Sequence, residues 1–232
     1  GLLAIAGFIL ATRDWPWLSA ASGAGRRGWF LQYFKASRIL YANDIVNTVA
    51  QYTDRYLVSL FMGLKFTGVY VLFWSIGNAL SNLVDTGIIQ VSGPKLINAH
   101  VRQDRSYWAV FRFMLVQAVA ISIVLAIATA VLVKIALPYL DRPFVADWMP
   151  VLWLVLLGFV LRMAYEVQGT VFYSHYKDSF TLLSGLFVIV LSILANVILI
   201  PPFALDGAAS AIIISYGAGI IARYVMITSH IR

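Results

Sequence analysis

The sequence contains no cysteine, and only 12% of its 232 residues are charged. Without thiols it has no disulfide framework, no thiolate metal ligand and no cysteine nucleophile. Its three histidines, His100, His175 and His230, are scattered, so no metal-ligand spacing can be read from them. All three fall in predicted loops or at the terminus, where they are expected to be solvated. The shortage of charge excludes an ordinary soluble domain, in which roughly a quarter of residues are charged. The G-x-x-x-x-G-K-[ST] phosphate loop is also missing, which removes that kind of nucleotide site. What the chain has instead is apolar: 61% of its residues are hydrophobic. They run continuously, as in ISIVLAIATAVLV and LFVIVLSILANVILI, where a membrane β-strand would alternate at every second residue. These runs predict an all-α, polytopic helical bundle in a membrane. The net charge of +7 belongs with cytoplasmic loops in such a protein, and no nucleic-acid partner is expected.

The opening GLLAIAGFILAT, residues 1–12, is too short to cross a ~30 Å hydrocarbon core. It reads as the end of a truncated transmembrane helix. Residues 13–37 are rich in Gly, Ser, Trp and basic side chains, a cytoplasmic loop with an interfacial amphipathic portion at WFLQYFK. Residues 38–232 then hold about six spans near the ~20 residues a bilayer requires: 38–62, 67–91, 112–134, 148–173, 179–200 and 207–229. The basic residues test this division. Arg13, Arg26, Arg27, Lys35, Arg38, Lys95, Arg102, Arg105, Arg112, Lys177 and Arg232 fall on one side, against Lys65, Lys134 and Arg142 on the other. The positive-inside rule places the first side, with the C-terminus, in the cytoplasm. Gly63, Pro94, Pro201, Pro202 and Gly207 are expected at helix ends and turns. Gly77, Gly158, Gly169 and Gly185 lie inside helices, where a missing side chain permits close packing.

The first predicted span carries Asp44, Asn47, Thr48, Gln51, Asp54 and Arg55. At 100° per residue, with Asp44 as zero, these fall between about −80° and +40°, one stripe. The second span repeats the pattern with Ser75, Asn78, Asn82, Asp85 and Thr86. A short turn around Lys65 joins the two in an antiparallel hairpin that can present both stripes to one cavity. The amides and hydroxyls suit interhelical packing equally well. Ionisable groups cost at least ~2.5 kcal/mol each in the bilayer centre, so Asp44, Asp54, Arg55 and Asp85 favour a cavity or an ion pair.

In the fourth span Arg162 and Glu166 stand four residues apart and can pair with each other. A purely structural pair there stabilises weakly, because desolvation offsets the attraction. A functional role is the stronger reading. A guanidinium suits phosphate or pyrophosphate through bidentate bonds, and a neighbouring carboxylate can exchange a proton or Na⁺. Arg223, near the end of the last span, reads as a snorkelling anchor, and Trp15, Trp17, Trp29, Trp108 and Trp148 as an interfacial belt.

TDRYLVSLFMGLKFTGVYVLFWSIGNAL followed by VSGPKL resembles the Asp-Arg, Gly-x-Tyr, Pro hairpin of the O-antigen and polysaccharide exporters, members of the multidrug/oligosaccharidyl-lipid/polysaccharide superfamily. NVILIPPFALDGAASA is similar to the Asn, Leu-Ile-Pro, Gly-Ala-Ala hairpin of the same family, although it lacks a further Gly often found after the Leu-Ile-Pro element. The resemblance spans about residues 38–229. It implies one lobe, the C-terminal one, of a two-lobe alternating-access transporter with a central cavity, and a missing N-terminal lobe as partner. The implied cargo is an undecaprenyl-pyrophosphate-linked oligosaccharide, moved across the cytoplasmic membrane of a bacterium or archaeon for O-antigen, capsule or exopolysaccharide synthesis. A polysaccharide polymerase and glycosyltransferases are implied partners, with membrane lipids.

No catalytic residue, metal or cofactor is implied beyond a coupling Na⁺ or H⁺. In this reading Arg55 and Arg162 attract the pyrophosphate. Asp44, Asp54, Asp85 and Glu166 balance charge or carry the ion, with Asn47, Gln51, Asn78 and Asn82 along the pathway. A multidrug cation antiporter or a lipid II flippase of the same superfamily is the alternative, though two arginines argue for an anionic cargo over a cation. Outside transport, a polytopic glycosyltransferase would need a larger extracytoplasmic domain, and a scaffold leaves the stripes unexplained.

Overall fold

A computed structural model describes residues 26–136 and 143–231. The expected stub, the loop before Arg26, the segment around Arg142 and the terminal Arg232 lie outside the described residues. The chain divides into two compact units, Gly1–Leu40 and Tyr41–Arg232. Of the first, the described part is helical; Tyr41–Arg232 holds the remaining helices.

Every regular element among the described residues is a helix. These are α1 (Arg26–Met62), α2 (Leu64–Val84), α3 (Gln90–Val101), α4 (Tyr107–Ala136), α5 (Pro143–Ala146), α6 (Met149–Ser174) and α7 (Asp178–His230). Three of them, α4, α6 and α7, are long and apolar enough to cross a membrane. Three boundaries differ from expectation. Helix α1 starts at Arg26 and not near Arg38, because the aromatic and basic WFLQYFK stretch contains neither proline nor a turn signal. Pro94 lies inside α3 and ends nothing. Between α2 and α3 the chain stays helical but widens into a π-helical turn at Asp85–Ile89, a local change often found at functional positions.

Gly63 separates α1 from α2 with φ 82°, a left-handed conformation that side chains other than glycine adopt at a cost. The fifty-three residues of α7 would span about 80 Å as a straight rod. The rod is broken at Ala204 (φ 53°, ψ −131°), just after Pro201 and Pro202. The two arms then fold back on each other. A Cβ on Gly207 would lie 2.2 Å from the Leu199 carbonyl oxygen, one on Gly219 would lie 2.6 Å from Val188, and Arg223 bonds Ser184. Contact partners that step away from a turn in this order define an antiparallel hairpin.

Helix α6 is the central element, packed most extensively on α7 and next on α4 and α2. Lipid tails are as apolar as leucine, so such packing relies on close van der Waals fit and small residues. Gly77 of α2 receives the Phe159 ring, and Gly158 receives Ile212 of α7; a Cβ at either would approach within 2.4 or 2.6 Å. Trp74 meets the same Phe159 ring edge-on at 5.6 Å.

The helix ends sort into two groups. His100 and His175 touch, with ring centroids 3.9 Å apart, and Lys177 Nζ donates to the His230 carbonyl at 2.6 Å. The α3–α4 turn, the α6–α7 turn and the end of α7 therefore share one end of the unit. At the other, Lys65 Nζ lies 3.9 Å over the Phe144 ring, and Phe66 packs on Phe144 and Trp148.

Candidate functional site

The polar centre of the unit is built on Arg162, midway along α6, its side chain 13% exposed. Arg162 Nη1 donates to Asn78 Oδ1 of α2 at 3.2 Å. Its Nε stands 3.8 Å from Glu166 Oε1, a salt-bridge distance but beyond a hydrogen bond. Arg162 Nε is buried and has no other partner. A buried donor left in this state costs about 1–3 kcal/mol, so it is retained only where something offsets that cost. Arg162 and Glu166 line a cavity of ≈ 70 Å³ together with Gln51 of α1, Tyr165 of α6, Gly185 and Val188 of one α7 arm, and Tyr216 of the other. Four helical segments thus converge on a space that fits a few waters or one ionic head, walled by a cation, a carboxylate, an amide and two phenols.

A second cluster stands beside it. Asp54, 4% exposed, accepts hydrogen bonds from Tyr70 Oη at 2.7 Å and from the Arg55 backbone N–H at 2.8 Å. The Arg55 guanidinium lies 3.7 Å over the Trp74 ring and 4.8 Å from that of Tyr52. These contacts tie α1 to α2. They also join the Asp-Arg element of the sequence to its Gly-x-Tyr element, since Tyr70 closes Gly68-Val69-Tyr70.

The remaining expected residues are elsewhere. Asp85 sits in the π-helical turn and accepts from Gln90 Nε2 at 2.8 Å. Asp44 and Asn82 are exposed on the outer surface of the unit and do not line the cavity. The side chain of Asn47 lies outside the described residues. The single stripe thus resolves into separate environments, for a physical reason: adjacent Asp54 and Arg55 are about 100° apart on a helix and meet different neighbours.

Two expectations are corrected. Arg223 does not snorkel: it is 2% exposed, its Nε donates to Ser184 Oγ at 2.9 Å and its Nη1 to the Tyr165 carbonyl, and its guanidinium lies 3.4 Å over the Tyr165 ring. The space it fills exists because residue 169 is glycine, where a Cβ would come 2.8 Å from Nη1. Arg223 thereby fixes one wall of the Arg162 cavity through Tyr165. Arg223→Ala is expected to destabilise the protein by about 2–4 kcal/mol, through the void it leaves and the loss of two charge-assisted hydrogen bonds. A drop in thermal midpoint in detergent measures it. The second correction concerns His100 and His175, whose rings lie against each other and are not separately solvated. Reading depth alone concealed Arg223. Its signal was the spacing of Ser184, Gly169 and Gly219 around a hairpin whose register the turn at Ala204 sets.

No family model, curated protein or solved structure matches the chain. A reading of its function rests on its own residues, foremost the under-satisfied Arg162 and the Asp54 to Tyr70 link.

Proposed function

We propose that the chain is one lobe of a flippase that moves a lipid-linked oligosaccharide, carried on undecaprenyl pyrophosphate, across the cytoplasmic membrane. In this reading α1, α2 with α3, α4, α6 and the two arms of α7 make about six spans. The separation of the turns into two ends supports that alternation, and the bias of basic residues assigns the His100, His175 and C-terminal end to the cytoplasm. The observation that carries the reading is the Arg162 guanidinium: buried, held by Asn78, with Nε lacking a hydrogen-bond acceptor and Glu166 just out of range. An anionic oxygen would satisfy it. Glu166 then either balances the guanidinium between cargoes or carries the coupling Na⁺ or H⁺. Arg55, held by Trp74 beside Asp54, is a second cation that would be released toward a pyrophosphate if α1 moves against α2.

Expression in a flippase-null strain tests this reading through surface polysaccharide. With the partner lobe supplied alongside it, the expected result is restored polymer with the parent chain and at least a tenfold loss with the Arg55→Ala, Arg162→Ala double variant, at equal membrane abundance. Normal polymer from that variant would remove the pyrophosphate role.

A further inference from the structure

A second, larger cavity of ≈ 480 Å³ lies at the other group of residues singled out above, the end of the unit where α3, α4 and α6 meet. Two helix ends of the same design build it. At the end of α3, Gln103 N–H bonds the His100 carbonyl and Asp104 N–H the Ala99 carbonyl. At the end of α6, Tyr176 N–H bonds the Tyr173 carbonyl and Lys177 N–H the Phe172 carbonyl. Both are Schellman caps, whose left-handed position normally holds glycine because other residues strain there. Here those positions are Gln103 (φ 52°) and Tyr176 (φ 56°), and both line this cavity. Strained backbone tends to be kept where the side chain it carries is used. An amide and a phenol are what glycine cannot supply.

Between the two caps lie His100 and His175, with centroids 3.9 Å apart and planes tilted by 47°. His175 Nδ1 is 2.9 Å from the Val171 carbonyl, which only accepts, so Nδ1 carries the proton and Nε2 is the nitrogen that gains one. Tyr107 packs edge-on to both rings and commits its hydroxyl to Ser174 at 2.7 Å. The charged groups around the pair are Asp104 and Arg105, which line the cavity, Arg102 beside Asp104, and Lys177 beyond α6. Asp104 accepts from the Ser106 N–H at 2.9 Å, which holds its carboxyl below the usual range and keeps it charged. Burial, with His100 and Lys177 nearby, holds His175 below the ordinary histidine range. A proton gained by the His175 ring is favoured by an anion in the cavity, adding to the effect of the Asp104 carboxylate that lines it.

We propose that this cavity binds a phosphate group, with His100, His175 and Arg105 as donors and the Gln103 and Tyr176 side chains forming its rim. The group belongs either to a soluble phosphate compound or to an anionic lipid headgroup. It lies apart from the Arg162 cavity and acts whether or not that cavity carries cargo. Because a proton is taken up with the anion, binding tightens as pH falls, by roughly tenfold between pH 8 and pH 6.

The test uses protein labelled with ¹⁵N at histidine, in phosphatidylcholine nanodiscs, titrated with inorganic pyrophosphate and, separately, prepared with phosphatidic acid. The expected result is a shift of the His100 and His175 signals while His230 stays put, both in the parent and in Arg162→Ala. A response to pyrophosphate assigns a soluble phosphate; a response only to phosphatidic acid assigns a headgroup. Gln103→Gly and Tyr176→Gly are each expected to raise the thermal midpoint by about 2–4 °C, by relieving strain, and to weaken binding at least tenfold. Silence of both signals toward both ligands, an equal shift of His230, or glycine variants that bind as tightly as the parent would overturn the site.

Discussion

Gly207→Val is expected to leave no correctly folded protein, while Gly217→Ala, ten residues further along the same arm, is expected to be neutral within about 0.5 kcal/mol. At residue 207 a Cβ would stand 2.2 Å from the Leu199 carbonyl oxygen and 2.5 Å from its carbon. Both are backbone atoms of the opposing arm, so relief requires the hairpin to open and not merely a rotamer to turn. Overpacking usually costs 1–3 kcal/mol, and a clash with backbone should exceed ~4 kcal/mol, a large part of a typical stability. The arms could not then hold the contacts that bring Arg223 to Ser184 and Gly219 to Val188. Around Gly217 there is open space. Size-exclusion profiles and thermal melts of the two variants in one detergent distinguish them. A monodisperse Gly207→Val protein with the parent's midpoint would mean that the arms are not packed this closely.

What the sequence could reveal followed the range of the forces involved. Helix class and the position of α6 were legible, because continuous apolar runs report directly on a non-aqueous surround. The internal glycines were legible as packing sites: Gly77, Gly158, Gly169 and Gly185 each face a neighbouring side chain. The Arg162 and Glu166 pair was legible from helical spacing, although its 3.8 Å gap was not. Partners across the fold were harder. A helical wheel assigns Asp54 a direction but cannot say that Tyr70 waits there, nor that Arg55 finds Trp74. His100 and His175 are 75 positions apart in sequence, and only the meeting of two helix caps joins them. Pro94 misled because a proline inside a helix removes one backbone bond without having to end it, as in α3.

The second large effect concerns cargo. Under the proposed function, a pyrophosphate head reaching Arg162 would gain charge-assisted bonds from a guanidinium already positioned by Asn78, without the cost of ordering the donor. Each such bond is worth about 1.5–3 kcal/mol, or roughly 10–100-fold in affinity. Arg162→Lys keeps the charge and loses the planar fork, and should fall between the parent and Arg162→Ala. Asn78→Ala should weaken binding less, because Asn78 holds the guanidinium and does not supply the charge.

The direct measurement is the dissociation constant of undecaprenyl pyrophosphate, set against undecaprenol, for the purified parent and Arg162→Ala proteins in the same detergent. The parent is expected to prefer the pyrophosphate by at least tenfold, and Arg162→Ala to remove most of that preference without changing affinity for the alcohol. An unchanged preference in Arg162→Ala, or none in the parent, would contradict the pyrophosphate role.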